Sequence, residues 1–306
     1  MRLKDLSDKA LRKQLRGEGL GFSSGPFSIR VRSDVDSVAE GLKQLYGNFE
    51  LNKTDFNDFN VGLFRPYGIR HWVAPQVDFY IDGYRPFRPL PLDQAYPMLE
   101  WGLNWCISNF ANHLFIIHAA VVEKNGFAAI LPAPPGSGKS TLCAGLVLSG
   151  WRLLSDELTL IDPKTGLICP LSRPVSLKNQ SIPLIREFSS EAFINRVSHD
   201  TAKGTVAHLR PPQDSVLRQQ ELARPGWVIF PKWQKDAEAK LIPRSQAQTF
   251  IYLAQNAFNY SQLGERAFAA GTELIRQCDC YDFTYHALSD AIRMFDTLAE
   301  GKKGIT

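Results

Sequence analysis

The chain has 306 residues, 44% of them hydrophobic and 22% charged, with a formal net charge of +4. That balance excludes a disordered or fibrous chain, and the charge is too small to argue for a nucleic-acid partner, so none is expected. Five scattered cysteines argue against a disulfide framework, and no apolar run has the length of a bilayer span or the form of a secretory leader; a cytoplasmic setting with reduced thiols follows as the expectation.

Taken in chain order, the first segment carries Arg2, Lys4, Lys9, Arg12, Lys13 and Arg16 among Leu3, Leu6, Leu11 and Leu15. This amphipathic pattern predicts a terminal helix docked on the rest of the chain, with a partner- or membrane-surface helix as the alternative. Strands are predicted at 27–32 and 59–65 with a helix at 35–46 between them, and a further strand at 76–82. Pro86, Pro89, Pro91 and Pro97 mark an irregular connection. Leu99 to His113 reads as a buried helix with Trp101, Trp105 and Phe110 near one face. Residues 114–122 and 127–131 read as two strands joined at Lys124-Asn125-Gly126, an Asn-Gly hairpin signal. The boundary this suggests divides an α+β N-terminal region, 1–113, a candidate for substrate or partner recognition, from a second α/β region, 114–306.

The run Ala133 to Thr141, APPGSGKST, fits the phosphate-binding pattern [AG]-x-x-x-x-G-K-[ST]. Glycines allow backbone conformations that let successive N–H groups converge on an anion. In such a loop Gly136, Ser137, Gly138, Lys139, Ser140 and Thr141 line the phosphates of ATP, with Lys139 reaching the β/γ-phosphates and Ser140 ligating Mg²⁺. The apolar run 127–131 before it reads as a buried strand and 141–148 after it as a helix, so the helix N-terminus faces the phosphates. Pro134 and Pro135 remove two N–H donors from the cradle.

Gly150 stops that helix, and 151–154 reads as a strand ending at Ser155-Asp156-Glu157. In a parallel sheet this sets the acidic pair at a carboxyl end beside the loop, where a carboxylate can hold Mg²⁺ or take a proton from an attacking hydroxyl. A strand at 158–161, a turn at 163–166 and a short strand at 167–169 make the next element a hairpin. Residues 195–220 read as a long polar loop. Strands at 226–230, 240–242 and 281–285 and helices at 245–258, 265–276 and 287–299 complete the chain. Cys278-Asp279-Cys280 has no second Cys/His pair nearby to complete a metal site.

The stretch IHAAVVEKNGFAAILPAPPGSGKST, Ile117 to Thr141, followed by WRLLSDE, Trp151 to Glu157, resembles the HPr kinase/phosphorylase family: a histidine, two strands, the loop, a helix and an acidic pair on the next strand. It looks most like the HPr-kinase-related branch found beside peptide-modification genes, and the resemblance covers about residues 114–162. The fold it implies is α/β, an HPr-kinase-like P-loop domain with a mixed sheet and helices, behind the α+β N-terminal region. The activity it implies is Mg²⁺- and ATP-dependent transfer to a serine-type hydroxyl of a protein or peptide. By this resemblance Asp156 matches the catalytic base, Glu157 the second acidic residue near Mg²⁺, and His118 the histidine close to the transferred phosphate. It also implies a homo-oligomeric ring. Where bifunctional members carry a segment tied to the reverse reaction, this chain has Arg173-Pro-Val-Ser-Leu-Lys178-Asn179, so phosphorylase activity is not expected.

Phosphoryl transfer needs cations beyond the loop lysine. Arg173, Lys178 and Arg210 are the candidates to contact the nucleotide, with Lys203 and His208 behind them. A small-molecule kinase and a non-catalytic ATP-gated binding protein remain the alternative functions.

Overall fold

Alternating burial organises the first third of the chain. The computed structural model describes residues 1–302 other than 53, 55, 69–72 and 135. The leucine stripe of α1 (Asp8–Arg16) buries Leu11 and Leu15, and the Ser7 hydroxyl caps its start by accepting from Ala10 N at 3.2 Å. β1 (Leu20–Ser24) and β2 (Phe27–Ser33) form a hairpin, and every second residue of β2 points inward. α2 (Asp36–Leu45) crosses over to β3 (Phe59–Phe64), which runs parallel to β2. β4 (Gln76–Ile81) and the short β5 (Leu90–Pro91) complete a sheet of order β1-β2-β3-β4-β5.

The buried helix expected from Leu99 starts earlier, as α3 (Ala95–Phe110). Pro97 is tolerated there because its missing N–H falls in the first turn, where no intrahelical acceptor exists. Gly41 on α2 admits α3 closely: a Cβ at this position would lie 2.0 Å from the Tyr96 ring.

The expected strand 114–122 is two strands. β6 (Phe115–His118) and β7 (Ala120–Lys124) break at Ala119 and join different sheets. β7 forms the Asn-Gly hairpin with β8 (Phe127–Leu131), Asn125 and Gly126 both taking positive φ. After α4 (Lys139–Leu148), β9 (Arg152–Ser155) pairs antiparallel with β7, and β10 (Leu158–Ile161) leaves to pair with β6 and with β11 (Ile168–Cys169). Two neighbouring strands therefore change sheets at the same level. Thr159 Oγ1 ties the crossing by donating to Ala119 O at 3.1 Å.

β12 (Val175–Lys178) and α5 (Ser181–Phe188) lead into the segment read as a loop. That segment instead holds β13 (Ser198–Thr201), β14 (Gly204–Leu209) and α6 (Gln213–Leu217), in a sheet of order β12-β14-β13. Its polar residues obscured the strands because they face a polar contact with the N-terminal region. Ser198 Oγ donates to Asp93 O at 3.0 Å, and Gln94 Nε2 donates to Asp200 O at 3.2 Å.

β15 (Arg224–Trp233), β16 (Lys240–Pro243), α7 (Gln246–Gln255), α8 (Tyr260–Leu263), α9 (Glu265–Gln277), β17 (Asp279–Tyr285) and α10 (Leu288–Lys302) finish the chain. The largest sheet has order β16-β17-β15-β8-β7-β9. It is mixed: β8, β15, β17 and β9 run one way, β7 and β16 the other. One apolar cluster joins α4 and α10 to one face; another joins α7 to α9 to the other. The fold is mixed α/β. The N-terminal core does not stop at 113 but continues into Ile116, Leu158 and Leu160. No helix among the described residues is long and apolar enough to cross a membrane.

Candidate functional site

The carboxyl ends of β8, β9, β15 and β17 lie on one edge of the large sheet, the edge where ligands of open α/β sheets gather. β9 shares the direction of β8 although antiparallel β7 separates them, so the acidic pair and the loop share this edge without a parallel β8–β9 contact. Within the loop Gly136 and Gly138 have φ of 84° and 89°, and Gly138 caps α4. A Cβ on Gly138 would meet Tyr285 Oη at 2.7 Å and Trp233 Cβ at 3.2 Å, so this position excludes larger residues twice over. Trp233 N donates to Ser137 O at 3.0 Å, and Tyr285 Oη donates to Gly138 O at 3.3 Å. The ends of β15 and β17 thus hold the loop. Pro135 lies outside the described residues. Lys139, Ser140 and Thr141 form the half-buried first turn of α4, whose leading N–H groups have no intrahelical acceptor and favour an anion. Ser137 Oγ is buried without a partner among the described residues.

Lys139 Nζ lies 3.4 Å from His118 Nε2. An ammonium has only donors, so Nε2 is the acceptor and the imidazole is neutral. Burial, then the Lys139 charge, pushes His118 down to about 4. Burial also lowers Lys139, while Asp156 and Glu157 act to raise it. The break at Ala119 sets His118 here, between the loop lysine and the acidic corner.

The two carboxylates differ. Asp156 is 6% exposed; its Oδ2 accepts from Ser176 N at 2.9 Å, and its Oδ1 has no partner among the described residues. Burial, then the neighbouring Glu157 charge, pushes Asp156 up to about 6. Burial acts to raise Glu157 too, but Lys203, Lys178, Lys139 and His118 outweigh it, and the net shift is downward. Glu157 Oε2 accepts from Asn104 Nδ2 at 2.6 Å, and its Oε1 lies 3.7 Å from Lys178 Nζ. Adjacent carboxyls whose environments push them apart are suited to different tasks, one exchanging a proton and one staying charged.

Arg173, expected at the phosphates, is committed elsewhere. It is 5% exposed and donates to Glu100 Oε2 at 2.6 Å, Glu100 O at 2.9 Å, Tyr46 Oη at 3.2 Å and Asn104 Oδ1 at 2.7 Å. The reason is Glu100, a buried carboxylate that needs a cation. Tyr46 and Tyr96 hydroxyls also donate to it, at 2.9 and 2.7 Å. Arg210 stacks on Phe193 at 4.6 Å and is exposed. It follows the end of β14 that pairs with Val175, whereas Lys178 pairs at the other end, with Val206. Lys203 sits over Trp101 at 5.3 Å. The sequence reading missed Tyr96, Glu100 and Asn104. Their signal was a polar stripe at i, i+4, i+8 on α3, whose one charged residue is Glu100.

Behind the acidic pair lies a cavity of about 20 Å³, room for about one water. Asp156, Ser176 and His208 line it, each with a buried polar atom that has no partner among the described residues. His208, 1% exposed, packs edge-on against Tyr96 at 5.3 Å. Burial pushes its imidazole down to about 4.

The donor set fits Mg²⁺ carried by a nucleotide better than a resident metal. No cluster of three or more His, Cys, Asp or Glu able to hold an ion occurs among the described residues. Mg²⁺ bound through substrate phosphates needs only one or two carboxylates, and the Glu157 carboxylate supplies an acceptor of that kind. The five cysteines are free and buried.

Among solved structures, an Hpr(Ser) kinase/phosphatase from Coxiella burnetii overlaps 61% of this chain and 94% of its own, at 10% sequence identity and a TM-score of 0.28. At that score the overlap carries no weight for fold or activity. No family model and no curated protein matches the chain.

Proposed function

We propose that this protein is a Mg²⁺·ATP-dependent kinase that transfers the γ-phosphate to a serine-type hydroxyl of a protein or peptide. The observation that carries the reading is Asp156: a buried carboxyl with one oxygen unpartnered, pushed up to about 6, on the same sheet edge as a glycine loop and its lysine. A base for an alcohol works best when its pKa lies near the operating pH, and a phosphate-binding structural site needs no such group.

In this reading Gly136, Ser137, Gly138 and the first N–H groups of α4 cradle the ATP phosphates. Lys139 leaves neutral His118 to stabilise charge on the transferring group. Asp156 takes the proton of the acceptor hydroxyl as its oxygen bonds to the γ-phosphorus. The bond from that phosphorus to the bridging oxygen breaks, and ADP carries away the electron pair. Ser140 and Glu157 would hold Mg²⁺, which supplies charge neutralisation when bound. Lys178, beside Glu157, adds positive charge; Arg173 anchors the wall of the site. A cytoplasmic, reducing setting belongs to the same proposal, on the five free thiols.

The test is incubation with γ-labelled ATP and the co-expressed products of neighbouring genes, read by mass spectrometry. Phosphoserine that disappears with Asp156→Asn is expected. Label confined to small molecules moves the acceptor to a metabolite, and nucleotide binding with neither transfer nor hydrolysis rejects the kinase.

A further inference from the structure

Glu157 is held from a part of the chain that carries no recognisable nucleotide motif. Its Oε2 accepts from Asn104 on α3, and α3 packs within the apolar core of the N-terminal region. The polarity of this contact is fixed by chemistry. Arg173 has donors only, so it must meet the carbonyl end of the Asn104 amide, 2.7 Å from its Nη1. The amide NH₂ is then obliged to point the other way, 2.6 Å from Glu157. Arg173 is itself fixed by buried Glu100, one helical turn before Asn104 on the same face of α3. The chain Glu100, Arg173, Asn104, Glu157 therefore presents a donor, oriented before any ligand arrives, to one of the two carboxylates of the corner.

We propose that Asn104 is a positioning residue for Glu157, so that the N-terminal region supplies part of the divalent-cation site of this protein. The inference rests on the kinase reading for the purpose of that cation, but not for the contact itself. Asn104 touches neither nucleotide nor acceptor in this account; it acts through the Glu157 carboxylate, whose other oxygen is left to Lys178 and to an incoming cation.

Three full-length chains test this: wild type, Asn104→Leu, which keeps the volume and removes both amide bonds, and Asn104→Gln, which keeps the amide. Two affinities are measured: a fluorescent ADP analogue without divalent ion, and Mn²⁺ binding to the protein–ADP complex by electron paramagnetic resonance. Asn104→Leu is expected to leave metal-free nucleotide affinity within about twofold while weakening Mn²⁺ about tenfold, the order lost when a group orienting a metal ligand is removed. Asn104→Gln is expected to recover part of that loss. Equal Mn²⁺ affinity in wild type and Asn104→Leu overturns the inference and leaves the kinase reading standing. A Mn²⁺ loss in a protein whose wild type transfers no phosphate keeps Asn104 as the positioning residue and rejects the kinase. A wild-type ADP complex that binds no Mn²⁺ overturns both. Should Asn104→Leu misfold, a circular dichroism spectrum detects it, and Asn104→Ala, which removes the same amide without adding bulk or charge, must then weaken Mn²⁺ for the inference to hold.

Discussion

The acidic corner has two flanks. On the loop flank stand Lys139 and His118, half-buried, in one long contact of 3.4 Å, both shifted toward their neutral forms. On the α3 flank stand buried Glu100 and Arg173 and half-buried Asn104, bonded at 2.6 to 3.2 Å, with the two tyrosine hydroxyls closing the set. The loop flank is held loosely and the α3 flank is tightly bonded, the division that the proposed transfer calls for. Asp156 and Glu157 divide the same way: one keeps a free oxygen and an upward shift, the other has partners on both oxygens and a downward shift.

Replacing one side chain on each flank gives the strongest contrast. Arg173→Met leaves Glu100 without its cation, and urea unfolding should register a loss of about 3–5 kcal/mol. Lys139→Ala should leave stability within about 1 kcal/mol, since it breaks no short buried bond, while calorimetry finds ATP affinity at least about tenfold weaker. Equal stability losses would erase the contrast. The clamp between loop and strand ends is tested next. Gly138→Ala forces a side chain into a left-handed position against Tyr285 and Trp233, and should cost about 1–3 kcal/mol by thermal unfolding while weakening ATP.

The pH dependence sharpens the difference within the pair. Asp156 must be ionised to accept a proton, so kcat/KM should fall on the acid side with a midpoint near 6. Glu157→Gln removes the neighbouring charge that helps raise Asp156, so the midpoint should move down. Stability has its own sign. A raised carboxyl binds more protons folded than unfolded, so its contribution is full at low pH and is lost as pH rises through about 6. Asp156→Asn should therefore stabilise the protein above that pH, by about 1–3 kcal/mol, as denaturant titrations at pH 5 and pH 8 would reveal. The smallest effect belongs to Arg210→Ala. Its stack on Phe193 is exposed and lies at the far end of β14, so transfer rates should change less than about threefold.

The loop flank was legible in the sequence because its groups are neighbours in the chain and follow backbone rules. Gly136 and Gly138 mark positive φ, Lys139 and Ser140 follow at fixed spacing, and Asp156-Glu157 ends the next strand. The α3 flank was not, because its partners lie far apart: Arg173 meets residues from Tyr46 and from Glu100 and Asn104. Without that contact an arginine after the acidic pair reads as a phosphate ligand. The same blindness turned 195–220 into a loop. Ser198 and His208 sit on strands that pack against polar surface of the N-terminal region, so the usual apolar alternation is missing. The break at Ala119 was hidden for the opposite reason: apart from His118, the strand residues near it, 115–117 and 120–122, are buried and apolar, and periodicity cannot distinguish one strand from two.

The central claim, that bound ATP is there to be used and Asp156 uses it, is tested most directly by comparing ATP binding and single-turnover phosphate transfer in wild type and Asp156→Asn. The account predicts ATP affinity within a few-fold of wild type and transfer at least about 10³-fold slower, roughly 4 kcal/mol of lost transition-state stabilisation. Transfer by Asp156→Asn at the wild-type rate would contradict it.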